Sequence, residues 1–237
     1  MSIERMVVNG WFRLAWLAVV GLALAACMNN EPEERAAFIA WLQPQAMPEH
    51  TGPLRVPDDA QRDAFGTYAR HYEVLADYDQ VARRAVDVLK AALEHDELHT
   101  LAQLLERGPA LATDRQALAR ARDDLQQALG HANAEVAELR QPDEVLRVYA
   151  PVYQRIVIDQ GARLDVWLAT AAAATDDALR VVEYVDRHGD QIAVTADAAA
   201  VRDPSVLHEL NRLLDILNGH ATTIGQARAG LWALAPD

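Results

Sequence analysis

The chain has 237 residues, with 22 Lys and Arg against 35 Asp and Glu, and its formal net charge is −13. So acidic a surface repels a phosphate backbone, which makes nucleic acid a poor partner. Without a Lys/Arg cluster it also has no means of lying flat on anionic lipid. Lys90 is the single lysine and Cys27 the single cysteine, so no disulfide framework and no cysteine metal site can be built within the chain.

The first element read along the chain is a leader. Arg5 and Arg13 precede an apolar run from Leu14 to Ala26, and the run closes on Leu24-Ala25-Ala26-Cys27. A basic start, a short apolar stretch and small residues before a cleavage point are the layout of a secretory signal peptide. The run is near 13 residues, short of the roughly 20 that a membrane-spanning helix needs. A small-small-Cys ending resembles the bacterial lipoprotein box. On this reading residues 1–26 are removed and Cys27 becomes a fatty-acylated (palmitoyl-type) N-terminus that holds the protein on a bilayer. A secreted chain with one free thiol would carry a reactive group in an oxidising compartment, and acylation removes it. Met28 follows the cysteine, where an Asp marks lipoproteins kept at the inner membrane. The expected location is therefore the outer membrane, facing the periplasm.

Residues 27–57 form the next unit: a lipidated tether, a short helix and a loop. Glu31, Glu33 and Glu34 with Pro32 suit the first turn of a helix, since anions favour its positive end and proline fits its first position. Phe38, Ile39, Trp41 and Leu42 give that helix an apolar patch. Four prolines and one glycine between Pro44 and Pro57 predict a loop.

Residues 58–237 read as a helical body. Asp58 with Gln61 three positions on predicts a capping box. Phe65, Tyr68, Tyr72, Leu75, Ala82, Val86, Leu89 and Leu93 then recur at three and four, an amphipathic helix whose stripe is interrupted by Asp79. Gly108-Pro109 breaks the chain. Leu111, Leu118, Leu125, Ala132 and Leu139 follow at sevens, a coiled-coil-like seam. From residue 143 to 188 a helix is predicted with interruptions near Pro151 and Gly161, ending on Gly189 as its cap. Residues 191–201 alone suit short strands, and a small hairpin is expected there. Asp203-Pro204 opens a last helix carrying two heptad series. One is Val206, Leu213, His220, Ala227, Leu234; the other is Leu210, Leu217, Ile224, Leu231. The fold class is all-α, an elongated antiparallel bundle of long helices with one small hairpin.

Candidate chemistry is sparse. His95 and His99 are four apart and share a helical face, in a near-miss of the H-E-x-x-H zinc motif; Asp96 is shorter than the Glu that motif uses, and no third ligand is indicated. Asp79 and His220 are polar residues on apolar stripes, and a buried cross-helix pair between them would fix helix register. Tyr68, Tyr72, Tyr78, Tyr149, Tyr153 and Trp167 would line an inter-helix cavity for a small apolar ligand, although aromatic residues at this spacing more often form core. Asp123-Asp124 and Asp176-Asp177 read as solvated faces.

Glu31-Pro32-Glu33-Glu34-Arg35-Ala36-Ala37-Phe38-Ile39-Ala40-Trp41-Leu42-Gln43 resembles the opening of the YiaF-like family, proteobacterial lipoproteins containing a domain of unknown function. Gln61, Phe65-Gly66, Tyr72, Tyr78, Pro151-Val152-Tyr153 and Gly189 add to the likeness. The resemblance implies a location and an architecture and brings no activity. The expected function is a non-enzymatic envelope lipoprotein with no cofactor, its helical body binding another envelope protein or playing a structural role. A carrier of a small apolar ligand is the alternative, and a metal-dependent hydrolase using His95 and His99 a more distant one.

Overall fold

In a computed structural model, residues 30–50, 52–94, 100–196 and 198–234 are described. Cys27, with the rest of the leader, and His95 and His99 lie outside them. The fold is all-α with one small two-stranded sheet. Helix α1 is Glu31–Leu42, followed by a 3₁₀ turn at Gln43–Gln45 and the proline-rich loop. Helix α2 (Asp59–Ala64) has the predicted capping box: Asp58 accepts from the Gln61 amide, and Gln61 returns a bond to the Asp58 amide. A 3₁₀ turn at Gly66–Tyr68 leads into α3 (Ala69–Glu94). Then come α4 (Leu101–Glu106), α5 (Gly108–Glu138) and α6 (Asp143–Tyr153). A π-helical turn, Gln154–Asp159, joins α6 to α7 (Gln160–Arg187). Strands β1 (Ile192–Val194) and β2 (Ala199–Val201) pair antiparallel, Ile192 opposite Val201, as the expected hairpin. Helices α8 (Pro204–Asn218) and α9 (Ala221–Leu234) complete the described chain.

Three long helices form the frame. Helix α5 packs against α3 on one side and α7 on the other, and α3 and α7 touch each other. Both α5 neighbours run antiparallel to it. Arg70 reaches Glu135 and Glu138, while Asp77 and Arg84 line one groove with Asp124 and Glu135. On the other side Arg115 pairs with Asp176, Arg122 with Asp165, and Tyr153 donates to Asn133. The heptad residues Leu111, Leu118, Leu125 and Ala132 are all buried, so the seven-residue seam is the inward face of α5. At 1.5 Å per residue its 31 residues span about 46 Å.

The buried residues form two clusters at opposite ends of this frame. The larger gathers α1, α3, α6, the π turn, the first half of α7 and α9 around Phe38, Leu75, Tyr78, Leu118, Tyr149 and Leu164. The smaller joins α4, Leu111, the second half of α7, Ile192 and α8 through Leu104, Val181, Tyr184, Val206 and Leu210.

Four boundaries differ from the sequence reading. The helix opened by Asp58 stops after one and a half turns, because Gly66 takes a left-handed φ of +48° beside the Glu34 carboxylate, where a Cβ has no room. The last helix is two helices, separated at Gly219-His220, so that α8 packs on the second half of α7 while α9 turns back onto α3 and α7. The 143–188 helix is continuous through Gly161 and departs from α geometry at residues 154–159 instead, directly after Pro151, whose missing N–H already weakens the ladder. Helix α7 ends at Arg187 with His188 as its cap, and Gly189 has no positive φ.

Gly161 has a different role. A Cβ there would overlap the Tyr78 hydroxyl, so the glycine is what lets α3 and α7 approach. That hydroxyl is buried and has no hydrogen-bond partner among the described residues. Tyr78→Phe should therefore be nearly neutral in stability. Gly161→Ala should cost about 1–3 kcal/mol through overpacking, despite alanine's better helix propensity. In the Tyr78→Phe background most of that cost should vanish, a coupling that denaturant unfolding of the four proteins measures.

Candidate functional site

The residues with unusual surroundings collect where α1 and the proline-rich loop meet the bundle. Helix α1 buries Phe38 and Leu42 completely. The Phe38 ring lies 5.4 Å from Phe65, edge-on, and 5.9 Å from Tyr68, stacked. Trp41 packs on Phe65 and meets Tyr72 edge-on at 5.4 Å. Polar contacts close the rim: Tyr68 Oη donates to Glu31, the Thr67 amide donates to Glu34 Oε2 at 2.9 Å, and Arg35 pairs with Glu144 of α6. Burial and the Glu31 carboxylate together push the Tyr68 phenol up to about 12.

His71 sits at the centre of this rosette, 4 % exposed. Its ring centroid is 5.7 Å from Phe38, 5.1 Å from Tyr68 and 5.7 Å from Tyr149. Among the described residues, neither ring nitrogen makes a hydrogen bond of acceptable geometry. Burial pushes the imidazole below its ordinary value, and the Arg140 backbone opposes that only in part. The Tyr149 hydroxyl and the Gln141 amide nitrogen are also buried without partners among the described residues.

A second cluster fastens the loop. In the π turn, the consecutive residues Ile156 and Val157 both point into the core, an arrangement that the wider turn permits. The preceding residue, Arg155, reaches the loop. Its Nη1 donates to the Gly52 carbonyl at 2.7 Å and its Nη2 to the Gln45 carbonyl at 2.9 Å. Buried Gln45 accepts in turn from the Arg55 amide at 2.9 Å. Below them Asp79, 7 % exposed, accepts from Arg83 Nε at 2.7 Å. Burial raises the Asp79 carboxyl while Arg83 and then Arg155 pull it back down, and burial lowers the Arg155 guanidinium against the pull of Asp79.

At the far end of the frame, His220 Nε2 lies 2.8 Å from Asp177 Oδ2, and Arg180 bonds the same carboxylate. Asp177 is 8 % exposed, so the solvated face expected for Asp176-Asp177 holds only for Asp176. Asp123 and Asp124 are both exposed. A groove of about 430 Å³ runs nearby along the join of the two cores, lined mainly by Leu93, Leu104, Leu111, Ala174, Leu217 and Ile224. Another, of about 380 Å³, lies between α3 and α5.

The expected pair of Asp79 and His220 is not formed. Each is buried or half-buried as its stripe position implied, but Asp79 is paired with Arg83 one turn along its own helix, and His220 lies in hydrogen-bond contact with Asp177 of α7. Of the tyrosines proposed to line a cavity, Tyr68, Tyr72 and Tyr149 are buried in the core, Tyr153 packs half-buried against it, and Tyr78, 1 % exposed, also borders the groove between α3 and α5; Trp167 packs against Gly230. His71 and Arg155 were not singled out from sequence. His71 falls between Tyr68 and Tyr72 on the apolar stripe, and Arg155 is a lone cation among Val152, Ile156 and Val157, so both carried a signal. Among the described residues, no three His, Cys, Asp or Glu side chains come together as metal ligands.

Removing the Arg155 clasp should be costly, because two charge-assisted bonds go and Asp79 loses a neighbouring cation. Arg155→Met should destabilise by roughly 2–4 kcal/mol. Trypsin should then cut at Arg55 faster than in the parent, as timed digestion followed by mass spectrometry reads.

The sequence profile described as "Protein of unknown function (DUF3053)" matches residues 14–232. Similar proteins include the "Uncharacterized protein YiaF" of Escherichia coli strain K12 and that of Shigella flexneri. Each is 24 % identical over 220 residues, covering 92 % of both chains. No solved structure matches. The chain belongs to the DUF3053 family.

Proposed function

We propose that this member of the DUF3053 family is an envelope lipoprotein, held by an acylated Cys27 on the periplasmic face of the outer membrane, whose helical body serves as a non-enzymatic structural or protein-binding element. The observation that carries the proposal is the order of its first 42 residues. A basic start and an apolar run end on Leu24-Ala25-Ala26-Cys27, and three residues later the chain enters α1. Helix α1 is integrated into the fold, since Phe38 and Leu42 are wholly buried.

On this reading, the short tether limits how far the body stands from its bilayer. From Cys27 to Glu31 the chain reaches roughly 14 Å at full extension. The end that carries α1, the Gly66–Tyr68 turn and the α5–α6 link then faces the lipid, and the hairpin and α8 lie at the opposite end of a frame about 46 Å long. The acidic surface supplies no attraction to anionic lipid, so acylation is the whole of the attachment: about 0.8 kcal/mol per buried methylene, summed over more than one chain.

The test is the mass of the mature N-terminus recovered from membrane fractions. It should begin at Cys27 with fatty chains attached. A Cys27→Ser variant should fail to be cleaved after Ala26 and should leave the outer-membrane fraction. An unmodified Cys27, or a mature chain starting elsewhere, would overturn the proposal. Crosslinking of intact envelopes followed by pull-down should recover a reproducible protein neighbour; recovery of none would count against the binding role.

A further inference from the structure

We propose that His71 is a proton-operated latch, which keeps α1 docked on the bundle while the imidazole is neutral and frees it when the ring takes up a second proton. The geometry is an interface. His71 belongs to α3, and the rings around it come from α1 (Phe38), the 3₁₀ turn (Tyr68) and α6 (Tyr149). Neutral, the ring fills that space with one N–H donor, one bare nitrogen and no net charge. Charged, it presents two N–H donors; the Arg140 backbone faces one of them, and the other has no acceptor among the described residues. Each unmet donor costs about 1–3 kcal/mol, more when charged. The surrounding aromatic faces return about 1–2 kcal/mol as cation–π attraction, which does not cover the unmet donor together with the cost of burying the charge.

The charged groups around the rosette are occupied with one another. On α1, Glu31 binds Tyr68 and Arg35, Glu34 binds Thr67, and Arg35 reaches Glu144 of α6. On α3, Arg70 binds Glu135 and Glu138 of α5. Arg140 of the α5–α6 link faces His71 through its backbone. None of these side chains forms an ion pair with the imidazole among the described residues.

The sign follows from the environment. Burial lowers the docked imidazole below its ordinary value near 6.5. Above both values the ring is neutral whether α1 is docked or not, and pH has no effect. As pH falls through about 6.5, the undocked state binds the proton first, and docking weakens until the docked value is reached. Release of α1 would add its 12 residues to the tether, raising its reach from roughly 14 Å to roughly 50 Å. That last consequence rests on the lipoprotein reading, whereas the latch does not.

Hydrogen exchange on the full mature protein in nanodiscs, corrected for the intrinsic pH dependence of the chemistry, tests it. Between pH 7.5 and pH 5.5, exchange of the α1 amides should rise up to about tenfold, the ratio that one imidazole of reference value 6.5 supplies. The α5 amides should not change. In a His71→Phe variant, which keeps a flat ring, the α1 rise should disappear. A pH-independent α1, or an equal rise in His71→Phe, would sink the latch. Should that variant not fold, the wild-type His71 Cε1–H signal decides. A titration midpoint coinciding with the α1 exchange midpoint supports the latch, and separate midpoints refute it. The N-terminal mass of the same preparation reports acylation, so a failed anchor and a failed latch are told apart.

Discussion

The antiparallel contact of α5 with α3 and α7 is the constraint on which everything else rests. It is built from a heptad stripe of modest size, three leucines and an alanine on the inner face of α5, and from glycines where helices come closest. Gly108 brings the start of α5 against Val182, and Gly161 admits the Tyr78 ring. Close approach makes many weak dispersion contacts simultaneous, which is how a slender three-helix frame gains enough cohesion to carry peripheral elements. The ion pairs along its edges, such as Arg122 with Asp165, are only half-buried and still reached by water. Their role is to favour one register over its neighbours and not to supply net stability.

On that frame the N-terminal segment is fastened twice, by unlike means. Helix α1 is held by ring stacking around His71 and by a polar rim of Glu31, Glu34 and Arg35. The proline-rich loop is held by backbone carbonyls turned toward Arg155, a polar contact that depends on the π turn to set the guanidinium at the right height. A loop with four prolines has few amide donors of its own to offer, so an arginine that satisfies its carbonyls is the natural partner. Asp79 completes the arrangement by balancing charge beneath it.

Much of the architecture was legible in the sequence. Stripes of threes and fours located α3, and sevens located the inward face of α5. A capping box was readable at Asp58, and the 191–201 hairpin stood out as the one segment without helical period. What was not legible had a common cause. Periodicity reports which face is apolar, but it does not report the partner. Asp79 and His220 were correctly picked out as polar intruders and then wrongly joined, because a four-residue neighbour on the same helix and an aspartate on α7 are invisible to a stripe. The break at Gly219-His220 was hidden by heptads that continue in phase across it, and the π turn by apolar residues on both sides of Arg155. The lone histidine within the tyrosine stripe and the lone arginine in an apolar run were signals that spacing alone left unweighted.

The division of the buried residues into two clusters has a consequence of its own. Helices α5 and α7 run through both, but α4, the hairpin and α8 contribute only to the smaller one. That smaller cluster can therefore be remodelled by substitution, or lost transiently to local fraying, while the larger one keeps its packing. A destabilising substitution in the outlying cap would open that end first and leave its base folded, an uneven distribution of robustness within one continuous chain.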